Sequence, residues 1–274
     1  MKQLRKYLKN VNFIVGAGIL SFYLIMMVVS FFYTPYDVNS MDIAGKLQPP
    51  SADHWFGTDE FGRDIFSRIM NGTQTAFFVG AFAVGIGMVF GTLIGAAAGY
   101  IGGWVDEIFM RMIDALMAFP GIILALMLVA VFGTGMINTA IALGIIAIPG
   151  IARIARSGVI QQKEAEYVLA AKLAGLRPWK IIMKHILPNI LSPLIVAGSV
   201  AFAVAMLAEA GLSYLGLGVQ PPDPSWGRML KDAQSYIVSA PWYTFAPGIT
   251  ITLFVLGFYM LSNALRDFHD VRSK

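Results

Sequence analysis

The sequence consists of long apolar stretches separated by short segments that carry most of the charged residues. The apolar stretches cover residues 11 to 33, 73 to 101, 113 to 132, 138 to 155, 189 to 215 and 245 to 265. An α-helix needs roughly 20 apolar residues to cross a hydrocarbon core about 30 Å thick, and these stretches have that length. They lack the polar–apolar alternation of a membrane strand. The pattern predicts an all-α, polytopic membrane protein with six transmembrane helices.

Composition and charge fit a chain whose main solvent is lipid. Apolar residues make up 57% of the 274 residues and charged residues 13%, whereas soluble domains have about 25% charged residues. The mean hydropathy is +0.68. Of the 20 Lys and Arg residues, the alternate loops that we assign to the outside hold only Lys46, Arg63, Arg68, Arg228 and Lys231.

This bias in basic residues predicts the orientation of the chain. Basic residues accumulate on the cytoplasmic side of membrane proteins. We therefore expect cytoplasmic N- and C-termini and a location in the cell (cytoplasmic or inner) membrane. The formal net charge of +4 is then a topology signal and calls for no nucleic acid partner.

The sequence offers few side chains for catalysis or for holding a cofactor. It has no cysteine, and its three histidines, His54, His185 and His269, fall in separate loops or tails. We therefore expect no metal site. The phosphate-binding pattern G-x-x-x-x-G-K-[ST] is absent, so we expect no cofactor bound by this chain and any use of ATP to occur on partner subunits. The chain is predicted not to be an enzyme.

A long segment on the predicted cytoplasmic side, residues 156 to 188, contains EYVLAAKLAGLRPWKIIMKHILP. Gly175 can adopt the left-handed conformation that ends a helix, Pro178 suits the first turn of a second helix, and Pro188 is expected to end that second helix. We expect two short helices with a sharp bend between them. Ala170 and Ala171 then offer a surface of little bulk for docking on another protein. A solvated basic loop is the alternative interpretation.

The segment before the second span reads HWFGTDEFGRDIFSR over residues 54 to 68. Thr58 is a candidate helix N-cap. Asp59 and Arg63 are four residues apart, as are Asp64 and Arg68, which places each pair on one helical face. The spacing predicts a short amphipathic helix on the outer surface.

Two features lie inside the predicted spans. Gly87, Gly91, Gly95 and Gly99 form a smooth stripe on the second span, which favours close helix packing. Glu209 lies about three-quarters of the way along the fifth span, where a carboxylate is costly unless it faces water or a partner. Glu209 either lines a pathway or gate, or pairs with another helix during assembly.

The cytoplasmic segment resembles the EAA motif of bacterial ATP-binding-cassette importer permeases, with A-A-x-x-x-G followed by L-P. The matching positions are Ala170, Ala171, Gly175, Leu187 and Pro188. Leu169 stands where the motif has Glu, and His185 where the general motif has Ile. In that family the motif packs into a groove on the ATPase subunit, so the resemblance implies that this segment couples the chain to ATPases.

Three further segments resemble the second permease of dipeptide, oligopeptide and nickel importers. They are HWFGTDEFGRDIFSR at 54 to 68, GLSYLGLGVQPPDPSWG at 211 to 227 and ALRDFHD at 264 to 270. The first of them contributes Gly57, Thr58, Asp59, Gly62, Arg63, Asp64 and Arg68 as outer-segment residues. The tail departs from the pattern at Asn263 and Val271.

This resemblance implies the type I importer permease fold. It divides the chain into an N-terminal anchor helix and outer segment (1–72), a permease core (73–265) and a cytoplasmic tail (266–274). The implied partners are a second permease subunit in a heterodimer, two ATP-binding subunits on the cytoplasmic side, a solute-binding protein outside, and the lipid bilayer. The implied substrate is a peptide or a metal chelate (nickel or a metallophore complex), and Leu169 slightly favours the chelate.

Two other classes of function are weighed against this one. A secondary transporter needs ion-binding carboxylates near the middle of the membrane, and only Glu209 approaches that description. A membrane-embedded hydrolase ranks lower, because it needs a nucleophile and a base in facing spans and no predicted span contains a histidine.

Overall fold

The computed structural model describes residues 10–269, which form helices joined by turns. The helices are α1 (Val11–Ser30), α2 (Ile65–Ile101), α3 (Gly103–Met117), α4 (Gly121–Phe132), α5 (Met136–Lys163), α6 (Glu166–Leu173), α7 (Pro178–Ile181), α8 (Leu187–Tyr214), α9 (Trp226–Ala233) and α10 (Pro241–His269). A π-helical segment, Ile182–Ile186, joins α7 to α8. Short 3₁₀ turns occur at Ile43–Gly45 and Gln234–Tyr236. We call the end that carries loops 31–64 and 215–240 the outer end, and the end that carries α6 and α7 the inner end.

The prediction of an all-helical polytopic membrane protein is confirmed, with five to six apolar crossings within residues 10–269. Within residues 10–269, five helical runs are long and apolar enough to cross a membrane, and the bent pair α3–α4 makes a sixth crossing when counted as one span. Several helices extend beyond their apolar cores, so that α2 begins at Ile65 rather than at residue 73.

The third predicted span, residues 113 to 132, is not one continuous helix. α3 ends at Met117, α4 begins at Gly121, and their axes differ by 91°. Pro120 explains the break, because proline has no N–H to donate and disfavours helical geometry at the residue before it. α3 carries Asp106, Glu107, Arg111 and Asp114, so only α4 is apolar throughout.

The glycine stripe on α2 packs directly against α5, as predicted. A Cβ on Gly91 would lie 2.9 Å from the backbone oxygen of Ile148, and one on Gly99 would lie 2.8 Å from that of Arg156. At Gly95 the clash with the backbone oxygen of Ala152 would be closer still. Because no side chain fits between the two backbones, the stripe holds α2 and α5 in van der Waals contact along their length.

The buried side chains at the outer end form an aromatic core that fixes the outer loops to the helices. Trp226 on α9 lies between Tyr23 of α1 and Phe254 of α10, with ring centroids 5.8 and 5.4 Å away. The indole N–H of Trp226 donates to the backbone oxygen of Ile69 at 3.1 Å. α9 is therefore attached to α1, α2 and α10 together.

At the inner end, a second core holds the short helices α6 and α7 against α5 and α8. Val159 of α5, Val168 of α6, Ile181 of α7 and Ile190 of α8 all belong to it and are buried. A two-pronged ion pair reinforces this end. Arg156 of α5 donates to both carboxylate oxygens of Asp106 on α3, at 2.5 and 2.6 Å.

Candidate functional site

The inner segment, residues 156 to 188, contains the bend that the sequence predicts. α6 ends at Leu173, and Gly175 follows with a φ of +74°. The N–H of Gly175 donates to Lys172 at 3.0 Å and that of Leu176 to Ala171 at 3.2 Å, which closes the final turn. α7 begins at Pro178. The left-handed glycine and the helix-starting proline are both confirmed.

Pro188 does not end the second helix, contrary to the prediction. It lies in the first turn of α8, and helix runs without interruption from Pro178 through the π-helical segment to Tyr214. The wider π turn accommodates the proline, since the N–H of Leu187 donates to Ile182, five residues back. The Asn189 side chain donates to the carbonyl of His185 at 2.6 Å and satisfies a carbonyl in this turn.

The two neighbouring alanines of the inner segment face different surroundings. Ala171 is only 6% exposed and belongs to the inner core, whereas Ala170 is exposed. The prediction that both alanines present a docking surface is therefore wrong for Ala171. Consecutive residues point about 100° apart around a helix, so a pair of adjacent small residues does not share one face.

The exposed surface of α6 and α7 carries large apolar side chains in addition to the small residues that the sequence predicts for docking. Leu173 is 90% exposed and Trp179 is 59% exposed, and Leu169 is also exposed. His185 and Leu187 are half-buried, and Leu187 packs against the inner core. Sequence reasoning missed Leu173 and Trp179. The sequence signal for them was the shortness of the predicted helices. A helix as short as α6 can bury only a few of its apolar side chains against the inner core, so the others remain exposed.

Contacts with α2 and α5 hold the inner segment in place. The Lys172 ammonium group lies 5.7 Å from the centre of the Tyr100 ring near the end of α2. It also donates to the backbone oxygen of Lys163, at 3.4 Å, and Lys163 in turn donates to Gly99 at 3.3 Å. α6 is thus joined to the inner ends of both helices that form the glycine-packed pair.

The outer segment, residues 54 to 68, is not an amphipathic surface helix. Gly57 and Gly62 have φ values of +74° and +76°, so the chain turns twice before α2 begins. Thr58 is not an N-cap, because its hydroxyl donates to the carbonyl of Gly45 and accepts from the N–H of Gln48. The N-cap is Asp64, whose Oδ2 accepts from Ser67 N at 2.7 Å.

The charged residues of the outer segment are paired and buried within the chain. Asp59 accepts from the Arg63 side chain at 2.6 Å, and Arg68 lies 3.7 Å from the same carboxylate oxygen. Asp64 pairs with His54, at 2.9 Å, rather than with Arg68. Of the two outer-segment pairs predicted from spacing, only Asp59 with Arg63 forms within the described residues. The buried network makes this segment a rigid cap on α2.

Glu60 connects this cap to α10. Its carboxylate accepts a hydrogen bond from the hydroxyl of Tyr243. Burial raises the pKa of Glu60 above its ordinary value, and the Tyr243 hydrogen bond partly opposes that rise. The stability of this contact is therefore expected to depend on pH.

Glu209 is buried between α8 and the loop before α9. Its side chain is 2% exposed, and Oε1 accepts from Ser213 at 2.7 Å and from Ser225 at 2.8 Å. Ser213 also accepts from the N–H of Val219 at 3.0 Å. Of the two predicted roles for Glu209, this geometry supports pairing during assembly. Ser213 and Ser225 complete the site.

A cavity of about 1520 Å³ lies between α4, α5 and α8 and reaches the inner end. Its walls are mostly small and apolar, and Glu209 does not line it. Polar lining residues lie at the inner end: Gln161, Gln162, Tyr167, Asn189, Ser192 and Arg266. Several apolar residues of the wall stay exposed, among them Ile122, Val200 and Val204.

The fold is thus that of a polytopic helical membrane protein with a large cavity beside a short, exposed inner helix. Comparison with known proteins agrees. Residues 91–274 match the family model described as binding-protein-dependent transport system inner membrane component. The chain belongs to this family.

Individual relatives extend the match over the whole chain. The dipeptide transport system permease protein of Alkalihalophilus pseudofirmus is 44% identical over 100% of this chain and 89% of its own length. The glutathione transport system permease protein of Pectobacterium atrosepticum is 41% identical, over 98% and 90% of the two chains. The probable D,D-dipeptide transport system permease protein of Escherichia coli is 38% identical, over 95% and 87%.

A solved structure supports the fold. A chain of the methionine ABC transporter in an inward-facing conformation aligns with a TM-score of 0.60, covering 73% of this chain and 95% of its own. The sequence identity is 16%, so this likeness concerns the fold alone. The predicted importer permease fold is confirmed.

Proposed function

We propose that this chain is one of two permease subunits of an ATP-driven importer of small peptides, in the size range of dipeptides and glutathione. The names of the three relatives all refer to such substrates, which supports a peptide over the nickel or metallophore chelate that Leu169 slightly favours. The location of Glu209 away from the cavity gives no support to a secondary transporter that uses this carboxylate.

The observation that carries the proposal is the cavity between α4, α5 and α8. Its volume of about 1520 Å³ exceeds that of ordinary small-molecule pockets, about 300 to 1,000 Å³. Exposed apolar residues in its wall, such as Val200 and Val204, favour coverage by another protein. A second, similar permease subunit closes this wall in our proposal, and the substrate passes between the two subunits.

Energy comes from two ATP-binding subunits that dock on the inner segment. The exposed apolar side chains Leu173, Trp179 and Leu169 give α6 and α7 a surface that a groove on a partner can bury. α6 is attached through Lys172 to the inner ends of α2 and α5, so a displacement of α6 reaches a helix that lines the cavity. Alternating access then follows from rigid-body movement of the helices.

The outer end receives substrate from a solute-binding protein. The rigid cap of residues 54 to 68 is attached to α2 and α10 and is therefore a stable surface for a partner to contact. Thr58, Asp59 and Arg68 are buried and cannot themselves contact another protein. In this proposal they stabilise the cap, and other residues on its surface contact the binding protein.

The test is to narrow the cavity without disturbing the helices. The complete transporter is expressed with Ala197→Trp in α8, a half-buried wall position. We expect uptake of a radiolabelled dipeptide to fall at least about tenfold while the ATPase subunits still co-purify, because the added indole occupies the path. Ser199→Trp, on the same helix but not on the cavity wall, is the matched control. Equal uptake by both variants contradicts the proposed path.

A further inference from the structure

We infer that Arg266 binds the carboxylate of the transported substrate at the inner end of the cavity. This inference rests on the proposed function, since it takes the cavity as part of the substrate path. It assigns the path a preference for substrates with a carboxylate over substrates that are purely cationic.

Charge is distributed unevenly over the cavity wall. Of the lining residues within the described part of the chain, Arg266 is the one with a charged side chain, and none is Asp or Glu. It lies on α10 close to the end of the helix at His269. Among residues 10–269, the lining of the cavity that α4, α5 and α8 form therefore carries a single positive charge, at its inner end, and no acidic residue.

The guanidinium group of Arg266 has hydrogen-bonding capacity to spare. Within residues 10–269, no hydrogen bond or ion pair of its side chain is observed, whereas Arg153 and Arg156 both bind aspartates. The next residue, Asp267, receives a hydrogen bond from Asn10 instead. The other polar residues that line this end of the cavity carry neutral amides or hydroxyls: Gln161, Gln162, Asn189, Ser192 and Tyr167.

A guanidinium group is well suited to a carboxylate. It presents its N–H donors as a planar fork that matches both oxygens of a carboxylate. Low-dielectric walls focus the field of a single charge and raise the local concentration of ions of opposite sign. A peptide carboxylate is attracted to this end of the cavity, while an uncomplexed metal cation meets repulsion and no acidic ligand.

The local potential can be measured with charged thiol reagents, because the chain has no native cysteine. Ser192→Cys places a thiol on the cavity wall of the assembled transporter, which is kept free of ATP. We measure how fast anionic and cationic methanethiosulfonates modify this cysteine. The modification is read from the gel band of this subunit alone, so that cysteines of the partner subunits do not contribute. Arg266→Gln should lower the ratio of anionic to cationic rates at least about fivefold. Arg266→Lys should largely retain the ratio.

Arg111→Gln is the matched control, because Arg111 is an exposed inner-end arginine on α3 that does not line the cavity. It should leave the ratio unchanged. An unchanged ratio in Arg266→Gln overturns the inference, and so does an equal fall in the control. These rates require neither ATP hydrolysis nor uptake. If the unmodified transporter failed to import dipeptides while Arg266→Gln still lowered the ratio, only the proposed function would be contradicted.

A second readout tests the carboxylate itself. In the Ser192→Cys transporter, the dipeptide Ala-Ala and its C-terminal amide are compared as protectants against the uncharged reagent N-ethylmaleimide. The free acid should slow modification more than the amide, and Arg266→Gln should abolish the difference. Equal protection by the two compounds, or protection by neither, shows that Arg266 does not bind the carboxylate.

Discussion

Glu209 shows how one carboxylate is accommodated among apolar helices. Removing a carboxylate from water is costly unless hydrogen bonds replace its hydration. Here Ser213, one turn along α8, and Ser225, in the loop before α9, each donate to Oε1. The carboxylate thereby connects α8 to the segment that leads into the aromatic core around Trp226.

This arrangement predicts different effects for two substitutions of Glu209. Glu209→Gln keeps an acceptor oxygen for both serines, so it should insert, assemble and transport nearly normally. Glu209→Leu leaves two buried hydroxyls without their acceptor and should cost about 2 to 4 kcal/mol of stability. Thermal unfolding of the purified complex and dipeptide uptake are the measurements. A stable Glu209→Gln variant that no longer transports would indicate a role in the path instead.

Glu60 gives a prediction for the dependence of stability on pH. Its pKa is raised in the folded protein, so the folded state binds the proton more tightly than the unfolded state does. The contribution of Glu60 to stability is therefore greatest at acidic pH and declines as pH rises above its ordinary pKa of 4.5 toward the raised value. Glu60→Gln should flatten this part of the thermal stability profile. A Glu60→Gln profile identical to that of the unmodified protein would contradict the prediction. The control is Glu107→Gln on the exposed face of α3, which should leave the profile unchanged.

At the scale of helices and loops, the bend of the inner segment requires glycine at position 175 for its backbone conformation, not for lack of space around it. Gly175 has no neighbouring atom within 4 Å of the position of an added Cβ, so space is not what requires glycine there. The positive φ is the constraint, because side chains disfavour the left-handed region. The turn sets the angle between α6 and α7, and hence the position of Leu173 and Trp179 relative to each other.

Gly175→Val should therefore disturb the inner segment through strain alone, at a cost of about 1 to 2 kcal/mol. We expect the six crossings to insert normally, while retention of the ATPase subunits on purification and dipeptide uptake fall together. Gly133→Val is the matched control, since Gly133 also has a positive φ, +90°, but lies at the outer end. Normal ATPase retention by Gly175→Val would remove the inner segment as the coupling element.

The exposed apolar surface of this segment can be tested separately from its backbone. Leu173→Asp places a charge where we expect a partner to bury a leucine, and it should reduce ATPase retention at least about tenfold. Thermal stability of the permease itself should hardly change, because Leu173 is exposed in the isolated chain. Met112→Asp, an exposed apolar position on α3, should retain the ATPases. Equal retention by both variants would contradict docking through Leu173.

How much of these elements the sequence predicts depends on which signal each one carries. Length and hydropathy identify every apolar stretch that lies in a long helix, but they do not detect that Pro120 divides the third stretch into two helices at 91°. In the outer segment, charges four residues apart fit a helix, yet Gly57 and Gly62 permit the two turns that the chain actually makes. The burial of Ala171 beside exposed Ala170 depends on tertiary packing, which spacing does not reveal.

At the scale of the whole molecule, the inner and outer ends differ in construction. The outer end is fixed by a continuous buried network that runs from the Asp59 ion pairs through Glu60 and Tyr243 to the aromatic core. At the inner end, the short helices α6 and α7 are held by the second buried core and by polar contacts such as that of Lys172 with Tyr100. The outer end is thus fixed largely by buried charges and aromatic rings, and the inner end by aliphatic packing of short helices.

The orientation of the chain in the membrane is the last prediction, and it can be tested with single cysteines because the chain has none of its own. Cysteines at Ser51 and Ser235, two exposed positions in the outer loops, should react with an impermeant maleimide added to intact cells. A cysteine at Gln161, exposed at the inner end, should react only after the membrane is permeabilised.

Ser225→Cys is the control for burial. Ser225 lies in an outer loop but is 1% exposed, so it should stay unlabelled on intact cells for a reason unrelated to sidedness. Labelling of Gln161→Cys from outside, with Ser51→Cys and Ser235→Cys protected, would invert the orientation. It would also place the segment that we propose for ATPase docking on the side of the membrane where no ATPase subunit is present.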